Sequence, residues 1–139
     1  QLVVTGSPVV SSGTITIELP TSPSFTGTTT TSNLAVSGRV VLSGSEDLAA
    51  SAAANLLVTA SYFTTVAAET ATLAVGTPGQ IKTFMMLADG GDMVITVTNA
   101  GWKTSGTGTM TFSAIGQACT LQYISSKWFC IGNNGATFA

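Results

Sequence analysis

From Glu69 onward the chain alternates apolar and polar side chains in short runs separated by breaks rich in Gly, Pro and Asp. The runs "ETATLAVG", "IKTFMMLA", "MVITVTNA", "TMTFSAIG", "ACTLQYI" and "WFCIGNN" carry the period of two that marks half-buried strands. "TPGQ" and "DGGD" read as turns, the second placing Asp and Gly where a positive φ is needed. Connections this short leave no room for crossover helices, so the strands are expected to pair antiparallel, as a meander or Greek key. The expected fold is all-β: an antiparallel β-sandwich or small, jelly-roll-like barrel.

The last of these runs forms a hairpin, "LQYISSKWFCIGNNGA". With Ser125-Ser126 as a two-residue turn, Tyr123 faces Trp128, Leu121 faces Cys130, and Cys119 lies opposite Gly132. Leu121, Tyr123, Trp128 and Cys130 then form the core face, with Tyr123 and Trp128 as an aromatic cross-strand pair that pins the register. Thr120, Gln122, Phe129 and Ile131 fall on the other face, which is too apolar for open water; a second sheet or a neighbouring subunit is expected to cover it. The two cysteines share a face but sit on a diagonal of roughly 7–8 Å. An unstrained bridge wants Cβ atoms about 3.8 Å apart, so they are expected to be packed thiols.

The first half is less regular. Thr14 to Leu19 alternates Thr and Ile and reads as a strand, whereas residues 21–33 form a Thr-rich, Pro-flanked linker. Residues 1–33 are therefore expected to form an extended N-terminal arm, and residues 34–139 the β-domain. "LAVSGRVVLSG" (34–44) suggests a strand pair broken at Ser37-Gly38. "SEDLAASAAANL" is the one short helix expected, with Ser45 as cap, Glu46 and Asp47 at the positive end of the dipole, and an Ala run to propagate it. "LLVTASYFTTV" then resumes β character. The uncharged stretch from Leu48 to Ala68 has the length of a bilayer span, but hydroxyls and Asn55 dilute it and no basic residue flanks it, so no membrane role is expected.

Composition sharpens this picture. Charged residues are only 7% of the 139, against 45% hydrophobic, and the net charge is −2; average domains carry roughly 25% charge. Twenty-four Thr and fifteen Ser must do much of the work of solubility. Such a surface offers little mutual repulsion and favours association, so a homo-oligomer is expected. Four scattered cations form no patch for phosphate, which argues against nucleic-acid binding.

The chain has no histidine, which removes Ser-His-Asp and Cys-His catalysis and the commonest zinc ligand together. Asp89 and Asp92 could share a hard cation across "DGGD", but the loop lacks the further oxygens such a site needs, so they read as turn residues and no metal is expected. Gly90-Gly91 lacks the lysine and helix of a phosphate loop. No cofactor and no enzyme activity are expected. Trp102, in the loop "NAGWKTSGTG", is expected to be exposed and, with Phe129 and Ile131, to belong to an interface.

The ordered set Gly79 to Thr83 (Gly-Gln-x-Lys-Thr), an apolar strand, Asp89 to Asp92, Lys127-Trp128 and Gly132 to Ala136 resembles a C-terminal region of virion proteins of tailed phages, often marine ones. The match covers residues 69–139, about half the chain. It departs from the pattern at Ser125-Ser126, where the family usually has Asn-Gly or Asp-Gly, and at "GTGTMTF", where a Gly-Thr-Thr-Ile-Thr-Phe run is common. The resemblance implies a non-enzymatic structural protein of a virus particle, whether head decoration, head fibre or tail fibre. The first expectation is a capsid decoration subunit on the outer surface of the virion, partnered by copies of itself and the major capsid or another virion protein. The second is a subunit of a viral or extracellular filament that assembles by strand exchange. The third is a carbohydrate-binding module using Trp102 with Asp89 or Asp92.

Overall fold

The computed structural model describes residues 38–42 and 44–139. Chain contacts divide the molecule into two units, Gln1–Arg39 and Val40–Ala139; the second is the β-domain. The expected arm and the Thr14–Leu19 strand lie outside the described residues, as do residues 34–37 and 43 of the expected 34–44 strand pair; its described residues, 38–42 and 44, form no strand.

Nine strands build the domain: β1 (Ser45–Asp47), β2 (Ala60–Thr64), β3 (Glu69–Leu73), β4 (Ile81–Ala88), β5 (Met93–Val97), β6 (Gly108–Phe112), β7 (Ala118–Ile124), β8 (Lys127–Asn134) and β9 (Thr137–Phe138). They form two mixed sheets, A in the order β1-β2-β4-β7-β8 and B in the order β3-β5-β6-β9. The fold is all-β, the sheets stack as a sandwich, and among the described residues no barrel closes. The six strands read from residue 69 onward correspond to β3 to β8.

The pairing differs from the antiparallel expectation. β1 with β2, β2 with β4, and β3 with β5 are all parallel. Parallel neighbours need a long return path, usually a helix. Here a strand of the opposite sheet makes that return: β2, β3, β4 and β5 lie alternately in A and B. The same alternation begins earlier. Residues 51–54 run beside β3, with Ser51 N–H donating to Thr70 O at 2.6 Å and Ala54 N–H to Thr72 O at 2.8 Å. The Ala-rich segment read as a helix is therefore a strand, β1, followed by this sheet-hugging turn. Backbone bonding to β3 and the pull of Lys82 on Glu46 outweigh the helix propensity of alanine, as tertiary context commonly does.

The core lies between the sheets. Phe63 and Phe84 from A meet Met93, Ile95, Met110 and Phe112 from B, all fully buried. Phe63 and Phe112 stack edge to face across the layers, 5.1 Å between centroids, a geometry that favours the ring quadrupoles. The "DGGD" turn between β4 and β5 is held from below by the buried hydroxyl of Thr65, which accepts from Gly90 N–H (3.0 Å) and donates to Gly91 O (2.6 Å). A Cβ on Gly90 would come within 2.5 Å of Thr65 O and one on Gly91 within 2.4 Å of Ala67 C, so glycine is required here by close backbone approach.

The final hairpin turns at Ser125 (φ 48°) and Ser126 (φ 63°), both left-handed as a type I′ turn demands. Serine tolerates this conformation poorly. Ser125→Asn combined with Ser126→Gly is expected to stabilise the fold by about 1 kcal/mol, read as a higher midpoint in chemical denaturation. Tyr123 faces Trp128 and Leu121 faces Cys130 as the alternation required. A bulge at Thr120/Leu121 then shifts the register, so Cys119 faces Asn133 rather than Gly132.

Candidate functional site

Sheet A buries one face against sheet B and turns the other outward. On β4 the inward set is Lys82, Phe84 and Met86, leaving Ile81, Thr83, Met85 and Leu87 outside. On β7 Cys119, Leu121 and Tyr123 point in, and Thr120 and Gln122 point out. Register assembles the outer side chains into rows. Ile81, Gln122 and Phe129 make one, Ala60, Thr83 and Thr120 a second, and Tyr62, Met85 and Ala118 a third. The hydroxyls of Thr83 and Thr120 meet at 3.1 Å within the second row.

No charge interrupts these rows. Asp47 sits at the β1 edge, in register with Tyr62, and Lys127 stands beside the hairpin turn with its ammonium spent on the carbonyls of Lys103 and Thr104, at 2.8 and 2.9 Å. Leu87, Ile124, Phe129 and Ile81 are exposed, as is Ile131 next to them on β8. The outer face of sheet B differs in kind. Its rows are Thr70, Val94, Thr111, Thr137 and Thr72, Thr96, Thr109, hydroxylated almost throughout and suited to water. Of the two outer faces, that of sheet A has the composition of a contact surface.

This face answers part of the sequence reading. Leu121, Tyr123 and Trp128 are buried, and the opposite face of the hairpin carries Thr120, Gln122 and Phe129, as expected. Sheet B covers the core side; on the outer side Gly101 packs beside the Phe129 ring at one edge, and Ile81, Leu87, Ile124 and Ile131 stay exposed. Cys130, expected in the core, is exposed although it faces Leu121 in the expected register, because it belongs to the part of β8, from Phe129 onward, that is exposed on both faces. Trp102, expected to be exposed, is half-buried. Its indole N–H donates to Ala139 O at 3.2 Å, and its ring stacks edge to face on Phe138, 4.7 Å between centroids. It fastens the C-terminal strand.

Asp89 and Asp92 stand where the turn was read. Asp89 Oδ1 accepts from Gly91 N–H at 3.0 Å, an Asx turn. No third acidic, Cys or His side chain joins them among the described residues. They precede β5 and Trp102 follows it, so the strand's full length, about 17 Å, separates the groups proposed for a sugar site.

An ionic group lies inside the domain that the sequence pattern does not announce. Lys82 is fully buried and its ammonium donates to Glu46 Oε1 (3.1 Å), Asn55 O (2.9 Å) and Val58 O (3.1 Å). Glu46 also accepts from Asn55 N–H and from the hydroxyl of the fully buried Ser61. Burial pushes the Glu46 carboxyl up, but hydrogen bonds from Ser61, Asn55 and Lys82 together outweigh it and hold the group below its ordinary value. Burial lowers Lys82 against the opposing pull of Glu46. Glu46 is expected from sequence at the positive end of a helix dipole, not in an ion pair; the one clue to this pairing is Lys82 at an inward position of an alternating strand.

Near this group an open hollow of about 310 Å³ is lined by Leu42, Leu56, Leu57, Val58, Thr59, Gly79, Gln80 and Ile81. No ionisable side chain lines it, and Ile81 makes it continuous with the outer face of sheet A. No helix among the described residues is long and apolar enough to cross a membrane. No protein-family model matches the chain, and no curated protein matches it.

Proposed function

We propose that the chain is a non-enzymatic structural subunit of a virion, a capsid decoration protein that binds the outer shell and sibling copies through the outer face of sheet A. The observation that carries this reading is the run of uncharged, half-apolar rows between Asp47 and Lys127, on a domain whose other outer face is almost wholly threonine. The low charge of the whole chain and the resemblance of residues 69–139 to phage virion proteins support it. Its action is mass action: each bound copy removes apolar and backbone surface from water and stabilises the assembled shell by its own binding free energy. The N-terminal residues 1–33 serve as the arm that adds a strand to a neighbour.

Gold-conjugated antibody against residues 44–139 is expected to label the outer shell of particles made by the encoding genome. Introducing charge by Met85→Lys with Gln122→Glu is expected to abolish decoration while leaving circular dichroism unchanged. Deleting residues 1–33 is expected to abolish decoration with the β-domain still folded. Shells bearing no label, or full decoration by the charged variant, would sink the proposal.

A second reading, a filament subunit, draws on the edge of β8. That strand ends sheet A, and beyond the bridge of Trp128 to Ala100 its outer side has no strand neighbour among the described residues. Electron microscopy of the purified chain separates the two readings: small oligomers fit decoration, and spontaneous fibres fit strand exchange.

A further inference from the structure

The two cysteines lie eleven residues apart in sequence, on adjacent strands, with their sulfurs 3.7 Å apart. That is van der Waals contact, and closing to the roughly 2.05 Å of a disulfide requires a movement of about 1.7 Å, within the reach of side-chain rotation. The regular register would have kept the sulfurs apart; they meet at the bulge that places Cys119 opposite Asn133 and Leu121 opposite Cys130. The two thiols are not equivalent. Cys119 is buried in the core beneath sheet A, and Cys130 is exposed, its thiol directed at Gly132 O at 3.5 Å.

We infer that Cys119 and Cys130 are a redox pair, a modification site at which Cys130 meets a small disulfide oxidant from solvent and Cys119 resolves the adduct into an intrachain bridge. The chemistry balances with a low-molecular-weight disulfide such as oxidised glutathione. The Cys130 thiolate attacks one glutathione sulfur; a Cys130–glutathione bond forms, the glutathione disulfide breaks, and the departing thiolate takes up the proton that Cys130 released. Deprotonated Cys119 then attacks Cys130 Sγ; the Cys119–Cys130 bond forms, and the second glutathione leaves with the proton from Cys119. Two protein thiols are oxidised by two electrons, and one glutathione disulfide becomes two thiols.

Solvent access fixes the order, because thiol exchange requires that the attacking sulfur reach the oxidant. Burial, reinforced by the neighbouring Cys130, pushes the Cys119 thiol upward, so the resolving step is the slower one and the glutathione adduct on Cys130 is a visible intermediate. The bridge ties the edge strand of sheet A to β7 next to Phe129 and Ile131. The pair is thus a thiol in a reducing compartment and a staple outside one.

The test uses the full purified chain in buffers of oxidised and reduced glutathione, quenched with alkylating agent and mapped by mass spectrometry. The expected result is a Cys130–glutathione adduct that gives way to a Cys119–Cys130 crosslinked peptide in monomeric chain. Cys119→Ser is expected to stop at the adduct. Cys130→Ser is expected to leave Cys119 unmodified in the native protein but reactive in urea. The equilibrium for closing the bridge is expected to be at least about tenfold more favourable in the native chain than in urea, because the fold holds the sulfurs together. Thiols that stay free, an adduct that never resolves, crosslinks between chains only, or closure no more favourable than in urea would each overturn the assignment.

Discussion

Replacing Glu46 by alanine is expected to lower the stability of the β-domain by about 3–5 kcal/mol, because it strands the Lys82 ammonium in the interior. Lys82 is fully buried and keeps only two carbonyl acceptors once the carboxylate is gone. Ser61, buried and bonded to the same carboxylate, loses its partner in the same stroke. Removing both charges together has a different outcome: Glu46→Leu with Lys82→Met is expected to cost far less than Glu46→Ala alone, since the desolvation of the pair is removed with its attraction. Urea denaturation of the three proteins reads the contrast directly, and equal losses for the single and double variants would show that the pair carries no such coupling.

The same pair governs acid stability. In the folded protein the Glu46 carboxyl lies below its ordinary value of 4.5, so the folded chain binds that proton less readily than the unfolded one. Its stabilising contribution is complete above about pH 4.5 and drains away as pH falls through the folded-state value. Lys82 is also lowered, chiefly by burial. It favours the folded state increasingly as pH climbs toward its ordinary value of 10.5, where the unfolded chain too gives up that proton. An acid titration is expected to show this Glu46 component in the native chain and to lack it in the double variant.

Trp128→Ala is the other change with a large expected effect, a loss of about 4 kcal/mol from the cavity left by a fully buried indole. Trp128 stacks edge to face on Tyr123, 5.1 Å between centroids, and its indole N–H donates to Ala74 O at 2.8 Å. Gly76 leaves room for the ring: a Cβ there would come within 2.6 Å of Trp128 Cζ2. Trp128→Phe is expected to cost less, about 2 kcal/mol, by filling part of the space but leaving the Ala74 carbonyl unpaired. Both variants lose the bond to Ala74, so thermal unfolding of the two reads the value of the volume that phenylalanine restores, and equal losses would show that this volume contributes nothing.

Strand identity was legible wherever side chains alternate and turns carry Gly, Asp or Ser, because period and turn chemistry are local. The hairpin register from Tyr123–Trp128 to Leu121–Cys130 followed from that alone. What alternation cannot convey is which sheet a strand joins. The parallel pairing of β2 with β4 depends on β3 crossing between them, a long-range arrangement that no local run records. Nor could alternation foresee the bulge that sets Cys119 opposite Asn133, or the exposure of Cys130 with its sulfur against that of Cys119. Glu46 was misread because an acid before an Ala run has the local look of a helix start, and only the tertiary fold brings Lys82 to it. The interaction face was half legible. Thr120, Gln122 and Phe129 were assigned to one side of the hairpin, but its extension across β4 and β2 emerges only from the sheet order.

The shuttling of successive strands between the two layers also constrains how the molecule comes into being. None of β2, β3 and β4 pairs with the strand that follows it in sequence; β2 waits for β4, β3 for β5, and β4 for β7. Only β5 with β6 and β7 with β8 can zip up locally. During synthesis β2 and β3 are therefore expected to emerge ahead of their partners and to pair across the sheets only once β4 and β5 have followed.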